Sequence, residues 1–313
     1  MMVLAAVAAT AVAATATGFE IVRGNASCLP QWDESVPAIP TEWNTLQLLQ
    51  KRPLDARIQY LAVPWTTALN KRRVQETVTC VAAELLRGRA AGRHCFTVVQ
   101  HIRWQSVLGE LKRLNCLVLF TPHTTEQSVT AAHGITVAGY PHAALNSALP
   151  AAVKDVSIFF SGLSQSRPRK LMEGLKSIVF PADAVFSIRD QWGASSPDNN
   201  YRTTMARARF ALCPRGTGPS TVRLFEAMKA AAVPVVYADG FTFPAAGHFD
   251  WTECAVRIPE REAGSTLERL GNISSERAKQ MGESCRAAFL AFFGEENLVG
   301  PIRYYFKSTS LRS

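Results

Sequence analysis

The sequence predicts an α/β protein built on parallel sheets. The first reason is residues 205–251 (MARARFALCPRGTGPSTVRLFEAMKAAAVPVVYADGFTFPAAGHFDW), where an apolar run at 210–212 meets a Pro/Gly loop, a helical pattern and a β-branched run at 233–237. That order is a strand–loop–helix–strand unit, the building block of parallel sheets. The second is the N-terminal half, where short apolar runs alternate with helical or loop segments. The third is bulk: 313 residues with 47% hydrophobic content can bury one large or two modest cores.

Within the central unit the chemistry should lie in the loop. Gly216 and Gly218 let the backbone approach a ligand, and a helix N-terminus offers unpaired N–H groups with partial positive charge. Ser220 or Gly218 is the expected N-cap, with Pro219 in or beside the first turn. Arg215 adds a forked donor and Arg223 falls in the first turn. Glu226 lies three residues beyond Arg223 on the same face, where a carboxylate can accept from two adjacent ribose hydroxyls. The bland counterpart is a surface ion pair after an ordinary turn. The loop has neither the lysine of a Walker motif nor G-x-G-x-x-G.

Taken together, Tyr201-x-x-x-Met205, Phe210-x-x-Cys213-Pro214-Arg215-Gly216, Ser220-x-x-Arg223-Leu224-Phe225-Glu226-Ala227, Val233-Pro234-Val235-Val236 with Asp239, Phe243-Pro244 and Asp250-Trp251 resemble the exostosin-type glycosyltransferases. The core of the resemblance covers residues 201–260. It implies an inverting transferase of two Rossmann-like domains facing a cleft, the GT-B type, with the C-terminal domain holding a nucleotide-sugar, usually a UDP-sugar. Its acceptor would be a glycan or polysaccharide. Ala231-Ala232 departs from the Gly-Cys or Ala-Cys common at that point, a small-for-small change expected to matter little.

Residues 1–18 are uncharged, small and apolar, and end in an Ala-x-Ala-like series. They read as a signal peptide or, since relatives of the resembled family are commonly anchored in the Golgi, as a weak signal-anchor; they fall short of the roughly 20 apolar residues of a confident span. The sequons Asn25-Ala-Ser27 and Asn272-Ile-Ser274 fit the secretory pathway. Seven cysteines without a C-x-x-C pair allow up to three disulfides and suggest no zinc knuckle, with Cys213 a packed residue. A net charge of +9 and a pI near 9.4 favour anionic partners such as nucleotide-sugars or acidic glycans. No nucleic-acid-reading motif accompanies that charge, so no nucleic acid is expected. Mean hydropathy of +0.02 fits a globular chain.

In chain order, residues 19–150 form the acceptor-side α/β domain. Residues 19–53 read as a Pro-rich stem or entry loop, 57–65 as strand-like, 74–87 as a helix, and 95–101, 116–120 and 134–138 as strands. Residues 146–156 are the crossing. Residues 151–273 form the donor domain, opening with a strand at 156–160 that ends at Ser161-Gly162, then a basic loop and a helix near 171–178. Ser161, Gly162, Arg167 and Arg169 are secondary diphosphate candidates. Residues 274–313 form a closing helical segment, capped by Ser274 or Ser275 and, by analogy with two-domain transferases, packed back across the N-terminal half.

Inverting transfer needs a base for the acceptor hydroxyl and cations for the departing diphosphate. Arg215, Arg223, Ser220 and the helix N-terminus meet the second need. No Asp-x-Asp occurs in the chain, so no essential cofactor is expected, a divalent metal staying open as an addition. His101, at the end of the 95–101 strand, is the first choice of base, with His123 in a similar position and Asp155 as the carboxylate alternative. Two other classes remain. An inactive relative could scaffold an active transferase, since the resemblance implies that such enzymes can work as hetero- or homo-oligomers. A nucleotide-binding hydrolase is disfavoured, because no nucleophile elbow or metal cluster is present.

Overall fold

The structure is a computed structural model, which describes residues 12–14, 19–23, 41–90, 93–132, 134–142, 152–163, 168–189, 200–294 and 296–309. The chain forms two compact units. One comprises residues 1–122, 128–140 and 302–313, the other residues 123–127 and 141–301. Both are α/β with parallel sheets, as the sequence predicts.

In chain order the first sheet takes β1 (Val12–Ala14), β2 (Glu20–Val22), β3 (Ile58–Leu61), β4 (His94–Val98), β5 (Val118–Thr121) and β6 (Thr136–Gly139), paired in that order. All neighbours are parallel except β1 and β2. The helices are α1 (Thr41–Lys51), α2 (Trp65–Asn70), α3 (Val74–Ala90), α4 (Leu108–Arg113) and α5 (Glu126–Thr130). Side chains alternate across the strands. Leu61, Cys95, Leu119 and Val137 join Val78, Val81 and Leu85 of α3 and Leu111 of α4 in one core cluster. Tyr60 stacks on Phe96, which meets Phe120 edge-on. Cys95 and Cys116 form a disulfide.

Two expectations for this region need revision. Residues 41–51 of the supposed stem are α1, an eleven-residue helix that buries Thr41, Glu42, Thr45, Leu46 and Leu49. The strand expected at 95–101 stops at Val98, so His101 lies in the turn that follows it. Residues 12–14, within the proposed leader, pair with β2, and the rest of residues 1–18 lies outside the described residues.

The second unit carries β7 (Val156–Leu163), α6 (Arg169–Lys176), β8 (Val185–Arg189), α7 (Tyr201–Arg207), β9 (Ala208–Pro214), α8 (Val222–Lys229), β10 (Val233–Tyr237), β11 (Val256–Arg257), α9 (Thr266–Gly271) and α10 (Ser275–Ala288). Its sheet runs β11-β10-β9-β7-β8, parallel throughout. Phe210 and Leu212 of β9 join Leu171 and Leu175 of α6 and Leu270 of α9 in one core cluster. Ala211 and Cys213 join Leu224, Phe225 and Met228 of α8 in another. This alternation explains why β9 reads as a near-continuous apolar run, the signature of a strand buried on both sides.

The end of α8 is built with care. Ala231 N–H donates to Met228 O and Ala232 N–H to Ala227 O, the two bonds of a Schellman motif. Lys154 Nζ donates to Ala206 O and Ala230 O, the closing carbonyls of α7 and α8. Burial, and then Arg286, lower its pKa to about 8.

The closing segment does not stay together. Ser274 caps α10 by accepting from Arg277 N–H at 3.1 Å, and Cys285 of that helix is disulfide-bonded to Cys254. A π-helical turn at Phe289–Phe293 follows and closes over Phe225 of α8. The final helix, α11 (Gly300–Thr309), contributes Tyr305 and Phe306 to Phe120 and Phe96 of the first unit. No helix among the described residues is long and apolar enough to cross a membrane.

Candidate donor site

The loop between β9 and α8 leaves the carboxyl end of a central parallel strand, where α/β folds bind ligands. Helix α8 starts at Val222, and its cap is Thr221, one residue after the expected Ser220, with no side-chain capping bond. The first-turn amides therefore have no capping oxygen from Thr221, the arrangement that suits a bound anion.

Arg223 lies in that first turn and is 8% exposed. Its Nη2 donates to Ser161 O at the end of β7, and its guanidinium carbon sits 4.9 Å from the centre of the Phe160 ring. Nε and Nη1 are buried and have no hydrogen-bond partner. Ser220, 6% exposed, likewise has a buried Oγ with no partner. A buried donor left unmade costs about 1–3 kcal/mol. Three such atoms within four residues, at the end of the loop and in the first turn of α8, are the mark of a place shaped for a guest rich in acceptors. Glu226, one turn on, accepts from Tyr201 OH through Oε2 at 2.8 Å.

Arg215 has a different setting. Its Nε donates to Glu260 Oε1 at 2.6 Å and its Nη1 to Gly216 O at 3.2 Å. Glu260 Oε1 also accepts from Asp239 N–H, while Asp239 Oδ1 accepts from Glu260 N–H. Asp239 is thus tied into the turn after β10 by Glu260, and Arg215 is steered by a carboxylate that sequence spacing gives no reason to notice. Gly162 is the penultimate residue of β7, beside the carbonyl that Arg223 holds.

The remaining candidates fall away from this group. Arg169 side chain is 91% exposed and pairs with Glu173 on its own helix, the solvated reading of that loop. Arg167 lies outside the described residues. Asp155 precedes β7, at the amino end of the sheet and opposite the loops, and is held in a two-pronged ion pair with Arg207 at 2.7 and 2.6 Å. His101 accepts from Arg103 N–H through Nδ1 at 2.9 Å, which places its proton on Nε2, 3.0 Å from Asn70 Oδ1. That tautomer has no lone pair to offer an acceptor hydroxyl. Burial, then Arg103, lower its pKa, and the ring stays bonded to the side chain of Asn70, the last residue of α2.

His123 has a setting that its sequence position did not disclose. It belongs to the short stretch 123–127 that counts with the second unit. Thr124 and Glu126 of that stretch bond to the turn after β10. The His123 ring meets His142 edge-on at 5.1 Å, and His142 packs against Phe225 of α8. Burial, then His123, push the His142 pKa well below its usual value.

Asp250-Trp251 is a packing element: Trp251 Nε1 donates to Pro244 O and its ring stacks on Phe243 at 4.2 Å. Cys213 is buried, and its thiol donates to Ala211 O at 3.4 Å. Among the described residues no group of three or more His, Cys, Asp or Glu side chains is placed to hold a metal ion.

A βαβ unit with a serine ahead of its helix, a buried arginine in the first turn and an acid one turn later defines a nucleotide-site candidate in a two-unit α/β protein. The chain matches the Exostosin GT47 domain over residues 55–273 and belongs to that family. It is 31% identical over 109 residues to the Exostosin-1 homolog of Caenorhabditis elegans, covering 34% of this chain and 28% of that protein. It is 28% identical over 130 residues to the probable glucuronoxylan glucuronosyltransferase IRX7 of Arabidopsis thaliana, covering 39% and 28%. These matches thus take in less than a third of either relative's length. Among solved structures, Anabaena Alr3699/HepE in complex with UDP aligns with a TM-score of 0.49 at 11% identity, over 86% of this chain and 96% of that one.

Proposed function

We propose that this protein is an inverting glycosyltransferase that moves a sugar from a UDP-sugar to a glycan or polysaccharide acceptor. The observation that carries the reading is the buried guanidinium of Arg223, with two N–H edges unpaired beside an unpaired Ser220 hydroxyl. A diphosphate leaving group supplies the acceptors those donors lack, and its developing charge is stabilised by groups already in place. Arg215, turned by Glu260, adds charge, Gly216 and Gly162 keep the approach free of side chains, and Glu226 takes the ribose. The site needs no metal for this. Family membership supports the class of reaction, and the +9 charge suits an acidic acceptor chain.

For the base we turn from His101 and Asp155, both engaged elsewhere, to His123. Its partner His142 is neutral at physiological pH, and the pair packs on the helix that holds Arg223 and Glu226. The disulfides Cys95–Cys116 and Cys254–Cys285 support an oxidising compartment such as the secretory pathway, and the Golgi within it is a reading that rests on family membership alone.

The test is a panel of UDP-sugars with oligosaccharide acceptors, scored for UDP release and product anomer, with and without chelator. Transfer with inversion that survives chelation supports the reading. UDP binding without turnover of any donor replaces it with a scaffold that partners an active transferase.

A further inference from the structure

Tyr201 heads the family-like motif, yet the donor-site account gives it no task. It lies on α7, 25 residues before Glu226, and its hydroxyl donates to Glu226 Oε2 at 2.8 Å. The ring is held by Phe159 of β7, edge-on with centroids 5.3 Å apart. Burial raises the phenol pKa, so the group keeps its proton and meets the carboxylate as a donor. Arg223 interacts electrostatically with both Tyr201 and Glu226, so the three side chains form one charge-linked group at the start of α8.

A carboxylate has about four lone-pair positions, and an unanchored one samples them by rotation. Tyr201 occupies one on Oε2 and fixes the plane, leaving both positions on Oε1 and the second on Oε2. Two adjacent hydroxyls can then be met without further ordering of the acid, and a pre-ordered acceptor loses less on binding than a mobile one. An acceptor pair built for a diol also penalises a ligand that lacks one hydroxyl, because a charged oxygen is left unmatched.

We propose that Tyr201 is a positioning residue which sets Glu226 for the vicinal hydroxyls of the donor's ribose, so that the site selects ribonucleoside over deoxyribonucleoside diphosphates. This rests on the donor-site reading above. Calorimetric titration of the full chain with UDP and with 2′-deoxy-UDP tests it, in the wild type and in Tyr201→Phe. The wild type is expected to prefer UDP by about tenfold. Tyr201→Phe loses most of that preference, its affinity for UDP falling by clearly more than its affinity for 2′-deoxy-UDP. Glu226→Gln, which keeps the shape of the acid, loses the preference as well.

Equal weakening of both ligands in Tyr201→Phe shows a merely structural role and overturns the proposal. So does a variant that keeps the wild-type preference, or a wild type that binds both ligands alike. A folded wild type that binds neither ligand overturns the donor-site reading itself, and the proposal falls with it.

Discussion

Gly282 of α10 lies directly against the carbonyl of Ala231: a Cβ built at 282 would come within 2.4 Å of that oxygen. Ala231 is the residue after the α8 cap and has φ +52, the left-handed region where glycine is favoured. The two positions together fix how closely α10 approaches the end of α8.

The change of residue at 231 therefore has a consequence for stability. Ala231→Gly is expected to stabilise the chain by about 0.5–1 kcal/mol by relieving the left-handed strain. Gly282→Ala is expected to cost about 1–3 kcal/mol, since backbone and not a flexible side-chain tip must move. Urea denaturation at constant slope reads both.

Ser220 offers a second test, because its buried hydroxyl is unpaired. Ser220→Ala removes that defect and raises the stability of the ligand-free chain by up to about 1 kcal/mol. The same change weakens UDP binding by about fivefold. Opposite signs in thermal melting and in titration are the expected signature of a polar group kept for a ligand.

Glu42 gives the first unit a pH dependence. It is buried, Oε1 accepts from Gln100 N–H and from the Thr66 hydroxyl, and burial raises its pKa to about 7. An acid whose folded pKa lies above its unfolded value binds its proton more tightly when folded. Its stabilising contribution is complete below about 4.5 and is lost as pH rises through about 7, a change on the order of 3 kcal/mol. Glu42→Gln should be more stable than wild type at pH 8 and should flatten the stability profile between pH 5 and 7.

The sequence discloses the β9–α8–β10 unit because each of its signals is local. Glycine and proline mark the loop, a β-branched run marks β10, and Arg223 and Glu226 share a helix face by spacing alone. Helix α1 escapes the same method because it buries Thr41, Glu42 and Thr45 beside only two leucines, so its inward stripe is mostly polar. The Glu260–Arg215 and Tyr201–Glu226 contacts join residues 45 and 25 positions apart on different elements, and no periodicity predicts such pairs. His101 misleads for a related reason. The end of a strand says where a side chain sits, but only the Arg103 amide and Asn70 reveal that both ring nitrogens are spent.

The central claim is that Arg223 holds the donor's diphosphate, and titration of UDP into wild type and Arg223→Lys tests it most directly. Lysine keeps the charge and loses the fork that presents Nε and Nη1. The account predicts saturable wild-type binding unaffected by chelator, and a loss of about 30-fold or more in Arg223→Lys with the fold intact by circular dichroism. Equal affinity in the two proteins would contradict it.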